Sequence, residues 1–77
     1  MTILVIATTR DPQRQSEALR AALGLTLRGA RVEVAVAEPL LTPLARRAAE
    51  TLRSFGHPVG VELAAALARA DRVEVWA

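Results

Sequence analysis

From Ile3 to Thr8 the chain reads Ile-Leu-Val-Ile-Ala-Thr, an apolar stretch rich in β-branched residues and without polar alternation. A strand with one solvated face alternates apolar and polar residues. This one does not, so it is expected to be buried on both faces, as in a parallel sheet covered by helices on each side. The chain has 77 residues, which is room for one domain spanning 1–77. A chain of that size buries only about 60–65% of its unfolded surface and should be stable by about 4–11 kcal/mol. A partner that covers leftover apolar surface would widen that narrow margin.

The rest of the chain supplies the elements such a strand needs. Asp11 is a good N-cap, and Pro12 has a φ already suited to the first helical position. A first helix is expected from Pro12 to about Arg28, with Leu19, Ala22, Leu23 and Thr26 on one face and Gly29 as its stop. Gly24 inside that helix costs about 1 kcal/mol against Ala, a cost that close packing is expected to offset. Arg31 to Ala37 has strand periodicity, Val32, Val34 and Val36 sharing one face and Glu33, Ala35 and Ala37 the other. Strand, helix and strand in about 35 residues make a βαβ unit with a right-handed crossover.

Thr42 and Pro43 repeat the cap-and-proline start, and Leu44, Ala48, Leu52 and Phe55 form the expected stripe of a second helix that Gly56 ends. The stretch Gly56-His57-Pro58-Val59-Gly60 is too short and broken to assign as a strand. A third helix is expected over Val61 to Ala70, with Leu63, Ala64, Leu67 and Ala68 apolar. Arg72-Val73-Glu74-Val75-Trp76 alternates, as a strand at a sheet edge does. The fold expected is therefore α/β: a small three-layer sandwich with about three helices. Its mainly parallel sheet has three strands, or four if residues 56–60 join.

Charge excludes more than it suggests. The calculated pI near 11.0 arises because all ten basic residues are Arg, so a net charge of +2 has no lysine or tyrosine to titrate against. The arginines scatter among eight acids, and neither clustering nor a set of stacking aromatics appears, which argues against a nucleic-acid surface. There is no cysteine, hence no disulfide, thiolate metal site or cysteine nucleophile. No apolar run is long enough to span a bilayer and the first residues lack a charged leader region. The expected setting is therefore the cytoplasm, with no membrane partner.

Catalytic signatures are missing: phosphate-loop, dinucleotide and nucleophile-elbow motifs do not occur, and one histidine does not make a zinc site. No cofactor and no metal are expected. Ligands of open parallel sheets bind beyond the carboxyl ends of the strands. That rule selects Thr8, Thr9, Arg10 and Asp11 after the first strand and Glu38 after the second. Hydroxyls, a guanidinium and a helix N-terminus could hold an anion there, and ordinary turn chemistry would use the same residues. His57, in a loop near Glu62, could serve as a ligand or general base, or be structural. Trp76, with Val73 and Val75, is either tucked over a helix or part of a subunit contact.

The opening Thr2-Ile3-Leu4-Val5-Ile6-Ala7-Thr8, the Asp11-Pro12 start of an Ala/Leu-rich helix, and Arg28-Gly29-Ala30 leading into Arg31-Val32-Glu33-Val34-Ala35-Val36 together resemble the start of DsrE/DsrF-like proteins, a family of sulfur-relay subunits. Ala68-Arg69-Ala70-Asp71-Arg72-Val73-Glu74-Val75-Trp76 is similar to that family's last helix and strand. The resemblance covers about two-thirds of the chain and implies the α/β fold and a habit of forming homo- or hetero-oligomers. Active members carry a persulfide-bearing cysteine between the second and last helices. This chain has only residues 56–60 and no cysteine there, so no catalytic residue transfers to it. The leading expectation is a non-catalytic subunit that binds a second copy or a related chain. The alternatives are an anion or nucleotide binder using Thr8, Thr9 and Arg10, and a hydrolase built on His57 and Glu62.

Overall fold

The apolar run near the start of the chain lies at the centre of a parallel sheet. The computed structural model describes residues 1–37 and 39–77. The elements in order are β1 (Thr2–Ala7), α1 (Pro12–Thr26), β2 (Arg31–Val36), α2 (Pro43–Ser54), α3 (Leu63–Arg69) and β3 (Arg72–Trp76). The strand order is β2-β1-β3, and both pairings are parallel. Leu4, Val5 and Ala7 of β1 are fully buried, as a strand between two neighbours and two helical layers must be. The register sets Val5 beside Val34 and Glu74, and Leu4 beside Glu33 and Val73. The face carrying Val5, Ala7, Val32 and Val34 packs against Ala18, Leu19 and Ala22 of α1 and Ala48, Ala49 and Leu52 of α2. The opposite face, with Leu4 and Ala35, packs against Ala66 of α3. Those are the three layers expected.

The caps work as the sequence implies. Asp11 accepts hydrogen bonds from the amides of Gln13 and Arg14, and Thr42 accepts one from Ala45. At the end of α2 the Gly56 amide donates to Arg53 O and the His57 amide to Leu52 O, a closure that requires Gly56 at φ +84°. Residues 56–60 contribute a single parallel bridge, Val34 to Val59, so the sheet proper has three strands.

Three sequence expectations change. The buried stripe of α2 is Ala45, Ala48, Ala49 and Leu52, while Leu44 is 58% and Phe55 76% exposed. Three alanines let α2 lie close to its neighbours, and the two large residues at the helix ends extend past that contact. α3 is shorter than Val61–Ala70 and buries Ala66 rather than the Leu63–Leu67 side, both leucines staying exposed. Gly24 does not mark a close approach, for a Cβ built there meets nothing within 4 Å.

What turns α3 is electrostatic. Glu33 projects from the centre of β2 onto the α3 face and is 1% exposed. Arg69 grips its carboxylate with two nitrogens, Nη2 to Oε1 at 2.7 Å and Nε to Oε1 at 3.2 Å, and Arg31 adds a contact at 3.3 Å. A buried carboxylate needs such partners, because desolvation would otherwise neutralise it. The hydrogen bond from Arg69 holds the Glu33 carboxyl below its ordinary value of 4.5; burial opposes this and Arg31 reinforces it.

Because folding lowers this pKa, the stabilisation is full above the unfolded value and is lost as pH falls through the folded one. Glu33→Gln should therefore cost about 1–2 kcal/mol at neutral pH, a modest figure because Arg69 stays half in water. That difference should shrink toward zero as pH drops below the carboxylate range, as read by urea unfolding across pH. Gly24→Ala should stabilise the protein by about 0.5–1 kcal/mol in the same assay, since α1 gains a better helix former without a clash.

Candidate functional site

The loop after β1 stands where a ligand of an open sheet would be expected, but the amides of Thr8, Thr9 and Asp11 are engaged within the chain. The amides of Thr8 and Thr9 both donate to Trp76 O, at 3.1 and 3.2 Å. Thr9 Oγ1 accepts from the Asp11 amide, and the Asp11 carboxylate occupies the N-terminus of α1. The amide of Gln15 completes the first turn by donating to Asp11 O. Arg10 remains exposed on this loop. Glu38, the counterpart after β2, lies outside the described residues.

Gln15, buried beside this loop, binds the neighbouring connection. Its Nε2 reaches Ala37 O and Pro39 O, and its Oε1 accepts from the Leu41 amide. The signal for it was present in the sequence, because Gln15 lies four residues before Leu19 on the apolar face of α1.

His57 sits at the other end of the sheet. Its Nδ1 accepts the amide of Val32 at 3.1 Å, near the start of β2. Thr8, Thr9 and Arg10 follow the end of β1, so the structure does not bring His57 to them. Glu62 caps α3 by accepting from the Ala65 amide, and no hydrogen bond joins it to His57 among the described residues. His57 instead begins a cover over the outer edge of β2. The Val34 amide donates to Pro58 O, and Val34 O accepts from the amides of Gly60 and Val61. An edge strand of unpaired backbone groups invites association, and the segment from His57 to Val61 closes this one.

The outer edge of β3 has no such cover. Among the described residues none hydrogen-bonds to it, and the sheet ends there. Trp76, beside Ala7 in the register, accepts inward from the Thr8 amide, so alternation along the parallel ladder turns the backbone groups of Arg72 and Glu74 toward β1 and those of Val73 and Val75 outward. Val73 and Val75 lie on the α3 face, 41% and 61% exposed. Trp76 lies on the opposite face, half-buried against the α1 core. The Arg14 guanidinium carbon stands 5.1 Å from the Trp76 ring centroid, and Arg14 Nε donates to Ala77 O at 2.8 Å. The structure thus separates Trp76, which is tucked over a helix, from the two exposed valines.

No cluster of metal-ligating side chains occurs among the described residues, and no helix there is long and apolar enough to cross a membrane. Comparison with family models, curated proteins and solved structures gave no match.

His57→Ala should cost about 1 kcal/mol or more, because it strips the Val32 amide of its partner. Arg10→Ala should stay within about 0.5 kcal/mol of the parent. Urea unfolding of the two variants separates an edge-covering histidine from a solvated arginine.

Proposed function

We propose that the protein is a non-catalytic binding subunit that associates through the outer edge of β3, with a second copy of itself as the partner. The observation that carries this reading is the contrast between the two sheet edges: β2 is covered by residues 57–61, while β3 is open and flanked by Val73 and Val75. Strand pairing at such an edge supplies main-chain hydrogen bonds, and the alternate side chains supply specificity.

The sequence of β3 is self-complementary for antiparallel pairing. With the two-fold axis at Val73, its outward backbone groups meet those of Val73 in the second copy, and Arg72 and Glu74 of one chain lie opposite Glu74 and Arg72 of the other at the flanking positions that are not hydrogen-bonded. Opposite charges then face each other twice and Val73 faces its own copy. Each cross-strand pair of this kind contributes about 0.2–1 kcal/mol. The resemblance to DsrE/DsrF-like proteins supports an assembling subunit linked to sulfur transfer. Without a cysteine such a subunit would hold a sulfur-carrying partner in place and leave the transfer itself to that partner's thiolate.

Light scattering on a sizing column should give twice the 8.2 kDa chain mass over a dilution series. Val75→Glu should shift that mass to the monomer. Arg72→Glu should weaken the dimer about tenfold, and adding Glu74→Arg should restore it. A parent protein that is monomeric at all concentrations, or a dimer indifferent to all three changes, would refute the β3 interface.

A further inference from the structure

A shallow, open cleft of about 320 Å³ lies beside the start of β2, lined by Arg31, Arg53, Gly56, His57 and Pro58. We propose that it binds a phosphate group, either free phosphate or the terminal group of a phosphate ester, through Arg31, Arg53 and His57.

Each of the three side chains is fixed by one polar contact and keeps others free. Arg53 Nη2 donates to Val59 O at 3.1 Å, and Arg31 Nε donates to Glu33 Oε2 at 3.3 Å. His57 Nδ1 accepts from the Val32 amide, which places the neutral imidazole's proton on Nε2. Donors anchored in this way lose little further freedom when a ligand arrives. Guanidinium groups also match phosphate oxygens in pairs.

The charge around the cleft is unbalanced in the same direction. No carboxylate lines it. Glu33 neutralises Arg31 only in part, because the same carboxylate is gripped more closely by Arg69. Arg53 forms no ion pair among the described residues. The wall at Gly56 carries no side chain, and its φ of +84° keeps glycine there. This cleft lies on the β2 side of the sheet and the proposed subunit contact on the β3 side, so neither proposal depends on the other.

The test is a titration of the full chain with sodium phosphate at constant ionic strength, following the imidazole resonances of His57 by NMR. A saturable shift is expected with phosphate and none with chloride. Arg31→Gln and Arg53→Gln should each weaken binding about tenfold, and Arg10→Gln, on the loop after β1, should leave it unchanged. Thermal unfolding checks that each variant is folded. Arg31→Gln carries the test if loss of the Arg53–Val59 contact unfolds the other variant. Adenosine monophosphate as a second probe separates the two sources: binding at least as tight as phosphate indicates an ester, and exclusion indicates free phosphate. No saturable shift up to about 20 mM phosphate, or a loss confined to Arg10→Gln, would overturn the proposal.

Discussion

The grip of Arg69 on Glu33 is the constraint on which one whole layer of this protein depends. α3 has seven residues, too few to be stable as an isolated helix, and Ala66 is its only buried side chain. Docking onto the sheet therefore falls to the carboxylate at the middle of β2 and to Val61, Ala66 and Ala70 around it. Once α3 is drawn toward β2 it cannot also cover β3, and Val73 and Val75 stay in contact with solvent. A short helix held by charge at one side of a three-stranded sheet leaves the other side bare by geometry alone.

The same arrangement explains why the two edges differ. The chain leaves α2 through Gly56, passes His57 to the amide of Val32, and runs beside β2 as far as Val61 before α3 begins. The connection that delivers α3 to Glu33 is thus also the cover for the edge of β2. Nothing in the described chain does this for β3, which is paired on its inner side only. Arg72 and Glu74 place alternating charge along that edge, which keeps it soluble yet permits a partner of matching alternation.

Polar groups occupy the interior only where they join elements. Gln15 ties α1 to the segment before α2, and Ser16 meets the Thr42 hydroxyl at 2.6 Å beside it. His57 ties the end of α2 to β2, and Arg14 ties α1 to the end of β3. No buried side-chain polar atom lacks a partner among the described residues. These contacts also account for the loop after β1: its threonine amides and the Asp11 carboxylate are used in holding β3 and starting α1, which leaves little for an anion.

The order of strands and helices, the caps at Asp11 and Thr42 and the glycine stops were legible in the sequence, because each depends on the conformational preferences of a few adjacent residues. The apolar run of β1 likewise announced burial on both faces, and the alternation of β3 announced an edge. Which side of α2 and α3 is buried was not legible. Leu44, Leu63 and Leu67 are as apolar as Leu52, and only the close approach allowed by alanines and the pull of Glu33 on Arg69 selects among them. His57 looked like a loop residue, and although the place of Gln15 on the apolar face of α1 was visible, the partners of the two lie 25 and 26 positions away in the chain. The split of Val73 and Val75 from Trp76 follows from strand alternation. Which of the two faces was left uncovered depended on where α3 came to rest, and that was decided only by long-range contacts in the folded chain.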